Sequence, residues 1–128
     1  MNVTLNPVSE DEHVPVAEIY IRTIKERSRF VQKMLPSKKV PGQITMELVS
    51  SCVFWLNICS RKLGVSDTTS LRIIITGLII DYNNHCKLQF GEYEQNNESH
   101  NKSTGTAHTI GSLALQPTGN EQGGVLFL

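Results

Sequence analysis

Apolar positions recur at steps of three and four from Ala17 through Ile21, Ile24, Val31 and Leu35, with the small Ser28 in the same row. That period predicts a helix with one buried face. Pro15 suits its first turn, where a missing N–H would have no partner anyway. Glu18 adds a negative charge where the helix dipole favours one. Leu35-Pro36 ends the helix, because proline blocks continuation and pushes the preceding residue out of the α region. A second helix is predicted over Gln43 to Cys59, where Ile44, Leu48, Cys52, Trp55 and Cys59 form one row and Val49, Val53 and Leu56 widen it. A helix apolar over so much of its surface is buried or docked on a partner. Cys52 and Cys59 are expected as buried reduced thiols on that face, and Trp55 as a core anchor rather than a base-stacking platform.

The rest of the chain reads as shorter pieces. Val3-Thr4-Leu5 is a strand candidate, followed by an acidic, turn-rich connection to Asp11. Ser60 to Asp67 reads as a loop. Leu71 to Ile80 carries two conflicting signals: its β-branched residues favour a strand, whereas a closing Gly77 suits a short helix. Extended pieces are predicted at Lys87–Glu94, Thr109–Leu115 and Gly124–Leu128, with a long polar loop from Gln95 to Ala107 and a turn at Pro117-Thr118-Gly119-Asn120. Short strands separated by Gly-rich turns suggest a small antiparallel barrel.

With 128 residues and 39% hydrophobic content, the chain suits one compact domain or two very small ones. The zero formal net charge hides a strong asymmetry. Seven of the twelve basic residues, with Glu26 as sole acid, fall between Arg22 and Lys39: Arg22, Lys25, Arg27, Arg29, Lys33, Lys38 and Lys39. Glu10, Asp11, Glu12 and Glu18 precede them without any Lys or Arg. A basic segment of this kind points to nucleic-acid contact. Glu18, Arg22, Lys25 and Arg29 also share helical spacing, so one exposed stripe carries a carboxylate and then three cations. An ordinary solvated face is the other reading, with Glu18–Arg22 a common i,i+4 pair contributing about 0.2–0.5 kcal/mol.

Other chemistry is thinly represented. The three cysteines include no C-x-x-C, which argues against structural zinc. His13, His85, His100 and His108 are scattered, and no P-loop, nucleophile elbow or dinucleotide fingerprint occurs. The apolar run Ile44–Cys59 contains Glu47 and Asn57 and falls short of the roughly 20 residues of a membrane span. The chain is therefore expected to make no membrane contact and to sit in a reducing, intracellular compartment.

Four segments, in order, resemble copia-type retrotransposon integrases: EHVPVAEIYIRTIKER around Glu18, FWLN at Phe54–Asn57, DYNNHCKLQFGEY from Asp81, and TIGSLALQPTGNEQGG from Thr109. Thr69 to Gly77 also resembles a family element that is a short helix closed by glycine, with Leu71 where the family carries proline. Ile19 stands where it carries arginine. The resemblance implies an α+β chain in three parts. Residues 1–59 would be the C-terminal end of a truncated ribonuclease-H-like catalytic core. Residues 60–84 would be a linker holding a short helix or strand, and residues 85–128 most of an SH3-like antiparallel barrel. It implies that Glu18 is the third acid of a D,D,E triad and a ligand for Mg²⁺ or Mn²⁺. Such enzymes join DNA by two-metal phosphoryl transfer, for which oxygen donors are required. The two aspartates would lie upstream of Val3, so the parent would act in the nucleus while this chain alone would be inactive, binding metal weakly at most. A non-catalytic module holding nucleic-acid backbone through Arg22–Lys39, and an interaction protein docking through Ile44–Cys59, are the alternatives. Uncovered apolar helix faces also predict self-association.

Overall fold

The computed structural model describes residues 14–60, 66–97, 105 and 108–128. The strand candidate Val3–Leu5 and the acids Glu10, Asp11 and Glu12 lie outside the described residues, as do parts of the two long loops. Among the described residues four helices, α1 (Pro15–Met34), α2 (Gly42–Ile58), α3 (Leu71–Thr76) and α4 (Tyr82–His85), precede three strands, β1 (Tyr93–Asn97), β2 (Thr109–Pro117) and β3 (Val125–Phe127). The class is α+β, with an antiparallel sheet of order β1-β2-β3.

α1 follows its sequence signals. Pro15 occupies the first turn, and Leu35 leaves the helix at ψ 142° because Pro36 follows. Its apolar row, however, is only half covered: no α1 residue is buried, and Ala17 and Ile21 are exposed. Tyr20, Thr23, Ile24, Ser28 and Val31 are half-buried, as is Leu35 at the C-terminal cap. Tyr20 Oη donates to Asn57 Oδ1 at 3.0 Å, tying the two helices together. Such a bond contributes about 0.5–1.5 kcal/mol.

α2 is the centre of the molecule and packs on α1, α3 and β2. Leu48, Cys52, Leu56 and Ile58 are buried on it, and they meet Ile80 and the β2 residues Ala114 and Leu115 in a small core. Two expectations for this helix are corrected. Cys59 is exposed, because α2 ends at Ile58 and Cys59 turns to extended backbone. Trp55 is half-buried on the rim of a cleft between α1 and the sheet, standing edge-on to Phe54 with ring centroids 6.1 Å apart.

The conflict at Leu71–Ile80 resolves as a helix. Ser70 caps α3 by accepting from Ile73 N–H at 3.4 Å, and Gly77 closes it at φ 72° with its N–H on Ile73 O. That left-handed conformation is cheap only for glycine. Two caps on a six-residue helix thus outweigh the β preference of three consecutive isoleucines. α4 has no counterpart among the sequence expectations. Asp81 caps it, accepting from Asn83 N–H at 3.0 Å and Asn84 Nδ2 at 2.6 Å.

The first strand is displaced from its expected place. Lys87–Glu94 was the extended candidate by alternation, yet β1 starts only at Tyr93 and runs on through Gln95, Asn96 and Asn97. Gly91, at φ 81°, turns the chain just before it. Pairing with β2 then sets the register, Tyr93 opposite Leu113 and Asn97 opposite Thr109. β3 pairs on the other edge of β2, with Leu113 and Leu128 exchanging both backbone bonds at 2.9 and 3.0 Å.

Candidate nucleic-acid interface

The spacing of α1 puts Glu18, Arg22, Lys25 and Arg29 along one shallow depression, which Ile21 and Glu26 also line. All six residues are exposed. Positions three and four apart on a helix hold their Cβ atoms about 5–6 Å from each other. From Arg22 to Arg29 the helix therefore advances roughly 10 Å at ~1.5 Å per residue. That is about three phosphate steps of one DNA strand at ~3.4 Å each. Three cations against two carboxylates leave the depression with a small positive excess.

The remaining basic residues are placed differently. Arg27 lies on another side of α1, lining a depression with Glu26, Phe30, Val31, Cys52 and Trp55. Lys33 stands in the last turn of α1, where it also suits the helix dipole. Lys38 and Lys39 sit in the exposed connection to α2, where Ser37 Oγ donates to Lys39 O at 2.9 Å. The structure thus brings together Arg22, Lys25 and Arg29, and spreads Arg27, Lys33, Lys38 and Lys39 around the end of the same helix.

Glu18 is in the first turn of α1. Among the described residues no group of three or more His, Cys, Asp or Glu is placed to hold a metal ion. The one acid that shares its depression, Glu26, comes with three cations that oppose a divalent ion. These donors do not fit a pair of Mg²⁺ or Mn²⁺ ions, and no chemical step is assigned to them. Cys86 is no better placed as a nucleophile. Burial, then the neighbouring Cys59 and Asp81, push its thiol up, away from the reactive thiolate.

No family model, curated protein or solved structure matches this chain. Among the described residues, no helix is long and apolar enough to cross a membrane.

Two residues with structural consequences carry no strong sequence signal. Arg72, the lone cation in an otherwise apolar stretch, lies over the Phe54 ring at 5.3 Å and donates from Nη2 to Gly119 O at 2.7 Å. His85 is buried at 3% exposure. Each is joined to a residue far away in sequence, so neither spacing nor local composition marks it. Glu26, the sole acid of the basic segment, lines the same depression and breaks the acid-then-cations order of the stripe.

Proposed function

We propose that this chain binds nucleic-acid backbone through the exposed cationic stripe of α1 and derives from the C-terminal end of a copia-type integrase core. The observation that carries the binding is the shared depression of Arg22, Lys25 and Arg29, three cations along about three phosphate steps. The ancestry is supported by the four quoted segments in order, and by helices followed by an antiparallel sheet. On this reading α1 and α2 close a ribonuclease-H-like core, and β1–β3 belong to an SH3-like barrel. Glu18 is then an inherited catalytic acid whose partner aspartates belong to the segment upstream in the parent.

Contacts to phosphate position a protein without reading bases. Binding is therefore expected to be equal on two unrelated duplexes and strongly dependent on salt. Three phosphate contacts give a slope of log K against log salt of about −2.7, or roughly fortyfold weaker binding between 50 and 200 mM salt. The triple change Arg22→Ala, Lys25→Ala, Arg29→Ala should remove most of that slope. Glu18→Gln should bind slightly tighter, since it deletes a repulsive charge from the stripe. Fluorescence titrations across a salt series measure all four, and affinity untouched by the triple change would exclude α1 as the contact surface.

Catalysis is tested separately. Purified chain is expected to give no strand transfer or cleavage with Mg²⁺ or Mn²⁺. Metal-dependent cleavage that disappears in Glu18→Gln would show an active site assembled from this chain alone.

A further inference from the structure

The segment from Thr118 to Gly124 is a turn that largely builds itself. Thr118 N–H donates to Gly124 O at 2.8 Å, and Gly124 N–H donates to Asn120 Oδ1 at 2.9 Å. Gly123, at φ 72°, lies so close to α4 that an added Cβ would sit 3.1 Å from Asn84 O. Two cation-capable side chains from the helical part reach consecutive carbonyls of this turn. Arg72 Nη2 donates to Gly119 O, and His85 Nε2 faces Asn120 O at 2.5 Å. The other ring nitrogen of His85, Nδ1, faces the carbonyl of Asp81 at 2.8 Å.

A carbonyl oxygen accepts and never donates. Neutral imidazole carries one N–H and one lone pair, so it satisfies one of these carbonyls and sets a lone pair against the other. Only the imidazolium donates to both. We infer that His85 is a proton-dependent clamp, fastening the 118–124 turn to the helical part of the fold while its ring carries both protons and loosening it when one is lost.

The charged surroundings are few. Arg72 on α3 reaches the neighbouring carbonyl and opposes a second positive charge. Asp81 at the start of α4 favours one, although its carboxylate is already engaged by Asn83 and Asn84. Glu121 follows Asn120 in the turn and is exposed. Tyr82 is the other titratable group on α4, and Cys86 caps its end with Cys59, the cap of α2, beside it. β2 and β3 bring no charged side chain. Arg72 keeps its charge at every relevant pH, so it is the constant tether and His85 the variable one.

The sign follows from proton counting. The clamped state holds the doubly protonated ring, so it binds more protons than the released state. The attachment is therefore favoured at lower pH and weakened as pH rises.

The test uses the intact chain and nitrogen-15 NMR of the imidazole rings, with His13, His100 and His108 as references in the same sample. At the acid end of a pH series the His85 ring is expected to show both nitrogens protonated. Amide exchange in 118–124, corrected for its intrinsic pH dependence, should quicken by up to about tenfold per pH unit once the ring has lost a proton, the slope of one-proton linkage. His85→Gln should flatten that dependence. Because replacing a buried residue can unfold its surroundings, the wild-type ring spectrum decides. A single neutral tautomer at a pH where the turn is still protected overturns the clamp, as does turn exchange that ignores pH.

Discussion

Leu48→Ala is expected to cost about 2–5 kcal/mol of folding free energy, a large part of the 5–15 kcal/mol typical of a whole domain. Among the described residues Leu48 is the one large side chain that is fully buried, at 1% exposure. It sits where α2 meets α1 and β2. On one side it lines the cleft of about 500 Å³ that Leu35, Phe90 and Leu115 share, and on the other the depression that Ile21, Ile24 and Val49 share. Removing its three outer carbons joins the void to space that is already poorly filled, so the neighbours have little to collapse onto. Val49→Ala, one position along and 38% exposed, is the control and should cost under about 1 kcal/mol. Urea unfolding of both variants measures the difference. Equal midpoints would mean that the core is not organised around α2.

The second large effect is on assembly. The chain should self-associate, and Ile75→Lys with Ile79→Lys should shift its weight-average mass toward the 14.3 kDa of one copy. Isolated apolar residues on a surface are ordinary. Here Leu71, Ile74, Ile75, Leu78 and Ile79 follow one another, and Ile75 and Ile79 are 72% and 79% exposed. A second set, Val16, Ile19, Phe30 and Met34, is exposed along α1. Contiguous apolar patches above a few hundred Å² rarely stay open to water. Sedimentation velocity over a concentration series reads the outcome. A single wild-type species at monomer mass throughout would refute the expectation. An oligomer that survives both lysines would move the contact to α1.

The sequence revealed what is decided locally. Pro15 and Pro36 bracket α1 through covalent constraints, and the apolar breadth of α2 announces a central helix. The cationic stripe is legible because helical period alone places Arg22, Lys25 and Arg29 together. Features that depend on distant partners were harder to read. The apolar row of α1 is genuine, but its coverage depends on what packs there, and α2 reaches only part of it. α3 carries a strand-like composition, and two capping residues overrule it. β1 took its limits from β2 across the sheet, not from its own alternation. α4 is too short for any period to show, so only its Asp81 cap marks it. The joining of Arg72 to Gly119 and of His85 to Asn120 spans 47 and 35 positions, which no local pattern encodes.

The dependence of the core on β2 has a consequence for the birth of the chain. α1 and α2 are neighbours joined by a short connection, and such a pair can meet early because closing a small loop loses little entropy. Ala114 and Leu115, which seal the exposed side of α2, are translated long afterwards. At ~5–20 residues per second, roughly 3–12 s separate the completion of Ile58 from that of Pro117. Throughout that interval the nascent chain presents Leu48, Cys52 and Leu56 with their later cover still unmade. Ribosomes following one another on a single message would hold several such faces close together. Yield in cells is therefore expected to follow that waiting time, and slowed initiation or a chaperone that shields α2 should raise the soluble fraction.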